Sequence, residues 1–117
     1  MLAARDYIRR TIAASTTCSS ILDRTNAPVE LQSLAEATAP AGSATQRHYH
    51  KVSEEFYFIL EGSGTMDLDG DLREVGIGDA ILIPRNAWHQ ITALSSSSLR
   101  FLCCCAPPYA HEDAYFE

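Results

Sequence analysis

The stretch from Gly42 to Gly62, GSATQRHYHKVSEEFYFILEG, is the part of the chain whose reading decides the fold. It holds two short extended segments, Thr45 to His50 and Glu55 to Leu60, closed at the far end by Gly62-Ser63-Gly64. On a strand, residues two apart share a face. His48 and His50 are therefore neighbours on one face, with ring nitrogens able to converge. Glu55 begins the next strand after a short turn, where its carboxylate can fold back beside them. His89, in Trp88-His89, heads a later strand and can supply a fourth ligand. Three imidazoles and one carboxylate suit a first-row divalent ion with positions left open for substrate. Each residue also has a plainer reading: histidines on strands are often only hydrogen-bonded, and Glu54-Glu55 is compatible with a solvated pair.

Outward from this stretch the chain continues in short pieces separated by turn chemistry. Leu31 to Thr38 reads as a strand stopped by Pro40 and Gly42. Thr65 to Leu68 and Asp71 to Val75 flank Asp69-Gly70, a hairpin signal because such a turn wants positive φ. Ala80 to Ile83, Trp88 to Ala93 and Leu99 to Cys105 follow, and Pro107-Pro108 closes the regular part. Short strands at regular spacing predict an all-β barrel of six to eight strands, with at most one short helix. The organisation expected is an N-terminal arm over 1–28, a barrel over 29–109 and an acidic, solvated tail over 110–117. Within the arm, Ile8 and Ile12 permit a short helix, and the Ser- and Thr-rich stretch after them suits an edge strand equally well.

The chain has 117 residues and a net charge of −6, with Lys51 as its one lysine, which argues against a phosphate-reading surface and hence against nucleic acid. No apolar run is long enough to cross a bilayer as a helix. The four cysteines, Cys18 and the run Cys103-Cys104-Cys105, form no disulfide framework. They read as packing residues in a reducing cytoplasm. The functional alternative is that Cys103 or Cys105 faces the metal pocket.

The spacing resembles that of the cupin superfamily of small jelly-roll barrels. The first cupin motif is Gly, five residues, His-x-His, three or four residues, Glu, six residues, Gly; the chain places Gly42, His48, His50, Glu55 and Gly62 at those intervals. The second is Gly, five residues, Pro-x-Gly, two residues, His, three residues, Asn; here Gly78, Pro84, Asn86, His89 and Ala93 occupy the positions. Asn86 stands where the motif has glycine, and Asn tolerates the left-handed conformation better than other non-glycine residues. Ala93 replaces the final Asn. Ser33 to Ala37, Glu54 to Tyr57 and Leu102 to Tyr109 resemble the small cupins of the mannose-6-phosphate isomerase-like type. The resemblance implies a double-stranded β-helix and one divalent transition metal, with Fe, Mn, Ni, Zn, Co and Cu all open.

Alternation puts Tyr57 and Ile59 on the face of Glu55, Gln46 on that of His48, and Ile91 on that of His89, which outlines a mainly apolar pocket. Tyr57 and Glu36 are the candidate proton carriers, Glu36 being equally compatible with a solvated position. Almost nothing cationic points inward, with Arg47 on the outward face and Arg85 in the turn near the barrel mouth, which weakens a phosphosugar substrate and favours a small oxygen-rich or carboxylated one. The resemblance to cupins implies, as the first expectation, a metal-dependent enzyme of isomerase, lyase or dioxygenase type; a non-catalytic small-molecule or metal-binding module is the second. Trp88 is expected outside the pocket. A homodimer is expected as well, because Ile8, Ile12, Ile21 and Leu22 have no obvious place in the barrel core and are costly to leave in water.

Overall fold

The structure, a computed structural model, describes residues 18–117. They form ten strands: β1 (Cys18–Leu22), β2 (Ser33–Ala39), β3 (His48–His50), β4 (Glu54–Glu61), β5 (Ser63–Leu68), β6 (Asp71–Gly76), β7 (Ala80–Ile83), β8 (His89–Ala93), β9 (Leu99–Ala106) and β10 (Ala114–Phe116). One short 3-10 turn, His111–Asp113, precedes β10. Two five-stranded antiparallel sheets result, in the orders β1-β2-β9-β4-β7 and β10-β3-β8-β5-β6. This is the expected all-β jelly roll.

The alternation that predicts the strands also builds the core. On β4, Glu55, Tyr57 and Ile59 are buried while Glu54, Phe56 and Phe58 face out. Leu99, Phe101 and Cys105 of β9 point inward beside them, and Ile91 and Ala93 of β8 come from the other sheet. Phe101, Ile59, Ile83, Ile91 and Leu99 are almost wholly enclosed. Burying each such large side chain contributes about 1.5–3 kcal/mol.

Two turns show why particular residues are needed. Asp69 and Gly70 both adopt positive φ, +51° and +88°, as the hairpin signal requires. Gly62, between β4 and β5, has φ +80°, and a Cβ there would lie 2.2 Å from the carbonyl oxygen of Ser98. That oxygen is backbone and has little room to move.

The expectation and the structure differ in three places. The strand count is ten, not six to eight: β1 is the edge strand offered as one reading of the arm, and β10 lies in the segment read as a solvated tail. β1 pairs with β2, with Cys18 opposite Ala37 and Ser20 opposite Ala35, so the sheet begins before residue 29. The possible helix around Ile8 and Ile12 lies outside the described residues. Second, the strand expected over Thr45 to His50 is regular only at His48–His50. Before that the ladder is only partial: the Thr45 N–H still donates to the Ile91 carbonyl at 3.0 Å, while Gln90 Nε2 donates to the Thr45 carbonyl at 2.8 Å and Thr45 Oγ1 accepts the Ile91 N–H at 3.1 Å. Third, residues 110–117 are not a solvated tail. Ala114, Tyr115 and Phe116 pair with His50, Tyr49 and His48, and Asp113 is buried.

Gly62→Ala should lower stability by about 1–3 kcal/mol, the usual cost of holding a side chain in a disfavoured backbone region. The measurement is a urea titration, in which the midpoint falls while the slope is unchanged. An unaltered midpoint would contradict the close approach to Ser98.

Candidate metal centre

Strand pairing brings together the residues singled out from the sequence. β3 and β8 meet with His48 directly opposite His89, and His50 follows two residues on, on the same face. Glu55 comes from β4 in the other sheet, where it is registered between Ile83 and Cys105. The cluster therefore spans the gap between the sheets. One ligand atom from each of His48, His50, Glu55 and His89 lies within 4.8 Å of all the others. Imidazole centroids are 4.2 Å apart for His48–His89 and 5.0 Å for His48–His50.

Backbone groups orient the rings. His48 Nδ1 lies 2.8 Å from the Gln46 carbonyl, and His89 Nδ1 lies 3.0 Å from the Ala87 carbonyl. A hydrogen on each Nδ1 satisfies those contacts and leaves each Nε2 with its lone pair exposed to the cluster. The turn after Pro84 docks on the neighbouring ligand strand, with the Asn86 N–H donating to the His50 carbonyl at 2.6 Å. Asn86 has φ +70°, the conformation for which it substitutes for glycine.

Electrostatics point the same way. Burial depresses the His48 pKa below its ordinary value, and the nearby His89 and His50 push it further down, against the pull of the Gln46 carbonyl and of Glu55. Its neutral form, the one that ligates, is favoured. The Cys105 thiol donates to Glu55 Oε2 at 3.3 Å, so the carboxylate's other oxygen, Oε1, is turned toward the histidines. Oε1 lies 3.3 Å from His89 Nε2 and 3.6 Å from His50 Nε2. Four buried atoms here have no hydrogen-bond partner: His50 Nδ1, His50 Nε2, Glu55 Oε1 and His89 Nε2. An unsatisfied buried polar group costs about 1–3 kcal/mol. Three of these atoms crowd one point with lone pairs and a negative charge, which is the donor set a divalent cation satisfies. The residues fit such an ion.

The other expected site residues divide. Tyr57 is buried beside the cluster, its ring centroid 6.0 Å from that of His89. Ile59 and Ile91 face inward as expected, but both are fully enclosed and belong to the hydrophobic core beneath the cluster. Gln46 is not in a strand, so alternation does not govern it; it is exposed and serves through its carbonyl. Glu36 is corrected. It faces the outer side of β2, opposite the inward-pointing Ala37, and pairs with Arg100 at 3.0 Å. Cys105, not Cys103, is the cysteine against the ligand carboxylate, while Cys103 packs on the core. Trp88 lies outside, edge-on to Tyr49 and under the Arg47 guanidinium.

Two groups were not found from the sequence. Tyr109 and Phe116 stand at the open side of the cluster, with centroids 5.9 Å from His50 and 5.4 Å from His48. Asp113 bonds the chain between His50 and Glu55. The apolar run Ala114-Tyr115-Phe116 was the available signal for the last strand, and it is too short to stand out from an acidic tail.

A ten-stranded jelly roll with three histidines and a glutamate converging between its sheets defines a barrel equipped to hold a metal ion. The cupin domain profile matches residues 35–105, and the chain belongs to that family. An uncharacterised protein of Methanocaldococcus jannaschii is 52% identical over 82 residues, covering 70% of this chain and 66% of its own length. The chain spans less than two thirds of the curated relatives it matches. A cupin protein from Bacteroides fragilis has a TM-score of 0.73 at 28% identity, covering 85% of this chain and 83% of that one. The polyketide cyclase RemF from Streptomyces resistomycificus has a TM-score of 0.67 at 28% identity, covering 82% and 72%.

The thiols give a check on the inner face. Burial raises the pKa of Cys105 far above the ordinary thiol value, Glu55 adding to the effect, and burial raises Cys104 as well. Cys104 and Cys105 form no disulfide. Thiol titration of the native protein at neutral pH should therefore leave Cys105 unreacted, and denaturation without reductant should release four thiols. A Cys105 that reacts rapidly in the native state would contradict its seat against Glu55.

Proposed function

We propose that this chain is a metal-binding single-domain cupin and a metal-dependent enzyme acting on a small oxygen-rich or carboxylated molecule. One observation carries the reading: Nε2 of His50, Nε2 of His89 and Oε1 of Glu55 are buried, lack hydrogen-bond partners and converge on one point. A divalent Fe, Mn, Ni, Zn, Co or Cu ion there supplies Lewis-acid or redox activation of an oxygen-bearing substrate, the basis of isomerase, lyase or dioxygenase chemistry. The chain's own part is to orient and enclose. His48, the ligand that is only partly buried, marks the approach side, where Tyr109 and Phe116 are exposed. Core residues Ile59 and Ile91 keep water from the opposite side. Tyr57 is the candidate group for moving a proton beside His89. The likeness to a polyketide cyclase favours an enolisable, oxygen-bearing substrate over a phosphosugar.

Plasma emission on the purified protein should find one metal ion per chain. His50→Ala and His89→Ala should lose it while keeping the wild-type β-type circular dichroism, because the core lies elsewhere. Stoichiometric metal in both variants would overturn the ligand assignment. The metal-loaded protein is then screened against hydroxy acids, enols and dicarboxylates. Turnover that disappears in His89→Ala supports the enzyme, and binding without turnover makes the chain a binding module.

The second element of the proposal is a homodimer in a reducing, cytoplasmic setting. Its support is the outer face of the sheet containing β4. Leu34, Cys104, Phe56 and Leu82 line one cross-strand row there, and Leu102 and Phe58 begin the next. Phe56, Phe58 and Leu82 are 51%, 42% and 51% exposed. Such a continuous apolar patch marks an interaction surface. Light scattering should give about twice the 12.8 kDa chain mass, and Phe56→Glu should halve it; a wild-type monomer at micromolar concentration ends the dimer reading.

A further inference from the structure

Between His50 and Glu55 the chain runs through Lys51, Val52, Ser53 and Glu54, a connection that must hold two metal-ligating side chains from different sheets in one place. Nothing in that connection is bulky or buried enough to fix it from within, apart from Ser53. A single carboxylate from the far end of the chain fixes it. Asp113 Oδ1 accepts the N–H of Lys51 at 3.0 Å and that of Val52 at 3.1 Å. Its Oδ2 accepts from Val52 and from Ser53, each at 3.1 Å. Three successive backbone N–H groups thus wrap one buried anion, the arrangement of an anion nest. Bonds of this charge-assisted kind are about twice as strong as neutral ones.

Further contacts hold Asp113 itself in register. β10 follows it directly and pairs Ala114 with His50 and Phe116 with His48. The Glu117 N–H donates to the Arg47 carbonyl at 3.1 Å, and the Ser53 hydroxyl donates to the Pro107 carbonyl at 2.8 Å. The ligand strand and the ligand loop are therefore both bonded to the last residues of the chain. The Asp113 carboxylate bonds the backbone N–H groups of residues 51–53 rather than a ligand side chain, so it acts on the ligands through the backbone that carries them.

We propose that Asp113 is a positioning residue of the metal centre, fixing the span between His50 and Glu55 so that the C-terminal segment sets the affinity for metal. The inference rests on the reading of His48, His50, Glu55 and His89 as ligands. Partners that orient metal ligands are worth about 10–100-fold in affinity when removed, and that is the loss expected here.

The test uses the full chain stripped of metal and titrated with Co2+ and with Zn2+, alongside Asp113→Asn, Asp113→Glu and Glu112→Gln. Asp113→Asn keeps the shape but replaces one acceptor oxygen with an N–H group facing other N–H groups. Glu112→Gln removes the same charge from the exposed neighbour. The expected result is a 10–100-fold weaker Co2+ affinity in Asp113→Asn, with an altered visible Co2+ spectrum at saturation. Asp113→Glu, which retains both oxygens, should recover part of the affinity, and Glu112→Gln should match the wild type. Wild-type affinity and spectrum in a folded Asp113→Asn overturn the proposal. Failure of both Asp113 variants to fold overturns it too, since Asp113 is then a residue of the fold alone. No Co2+ or Zn2+ bound by the wild-type chain overturns the metal reading itself, an outcome distinct from the other two.

Discussion

The site depends on the way β3 and β4 leave the loop at 51–53 into opposite sheets while still facing each other. His50 ends a strand of one sheet and Glu55 opens the inward series of the other. The four residues between them must reverse the chain and set both side chains toward the interior. A one-residue slip in either strand would turn its ligands to solvent, because alternate strand residues face opposite sides. The buried series Glu55, Tyr57 and Ile59 on β4 opposes such a slip from one side. From the other, His48 pairs with His89, and β8 continues inward through Ile91 and Ala93. The hydrophobic core thus specifies the register that a polar cluster uses.

Most of this was legible because its signals are local. Alternation and turn chemistry located β4 through β9 to within a residue or so at each end. The resemblance of the spacing to the cupin motifs, rather than a local signal, drew His48, His50, Glu55 and His89 together, since 41 positions separate the first from the last. The left-handed turn at Asn86 was readable from a single substitution in that motif, and its φ of +70° is the conformation expected. What failed was also local reasoning, applied where local signals do not decide. Glu36 sits in a strand whose facing its own sequence left undetermined, since Leu34, Ala35, Ala37 and Ala39 put apolar residues on both parities. The small inward residues Ala37 and Ala39 and the ion pair to Arg100 settle it outward. Gln46 was assigned by extending alternation into a stretch where the ladder is only partial and side chains of Thr45 and Gln90 take over some of its bonds.

The ends of the described chain were least readable for a related reason. β1 and β10 are edge strands, each paired on one side only, so neither needs the hydrophobic run that announces a central strand. β10 is three residues long and is preceded by Glu112 and Asp113, which in isolation predict solvation. The partners that overturn that reading are backbone N–H groups 60 or more positions earlier, and backbone donors carry no sequence signature.

The metal cluster and the Asp113 clasp differ in how they meet the same cost. Both place carboxylates in the interior, where an unpaired charge is expensive. Asp113 is supplied with four donated hydrogen bonds from the chain itself, so its cost is met on folding. Glu55 is given one, from Cys105, and its remaining oxygen faces Nε2 atoms of His50 and His89 that have no partner either. A fold that satisfies one buried carboxylate so fully leaves the other with an unshared oxygen among imidazole lone pairs, a donor set that could hold a cation. A cation bound there would contribute directly to the stability of the folded state, since the unfolded chain presents no such convergence. The loop at 51–53 joins the two carboxylates physically: Asp113 accepts its backbone N–H groups, and Glu55 follows it two residues on.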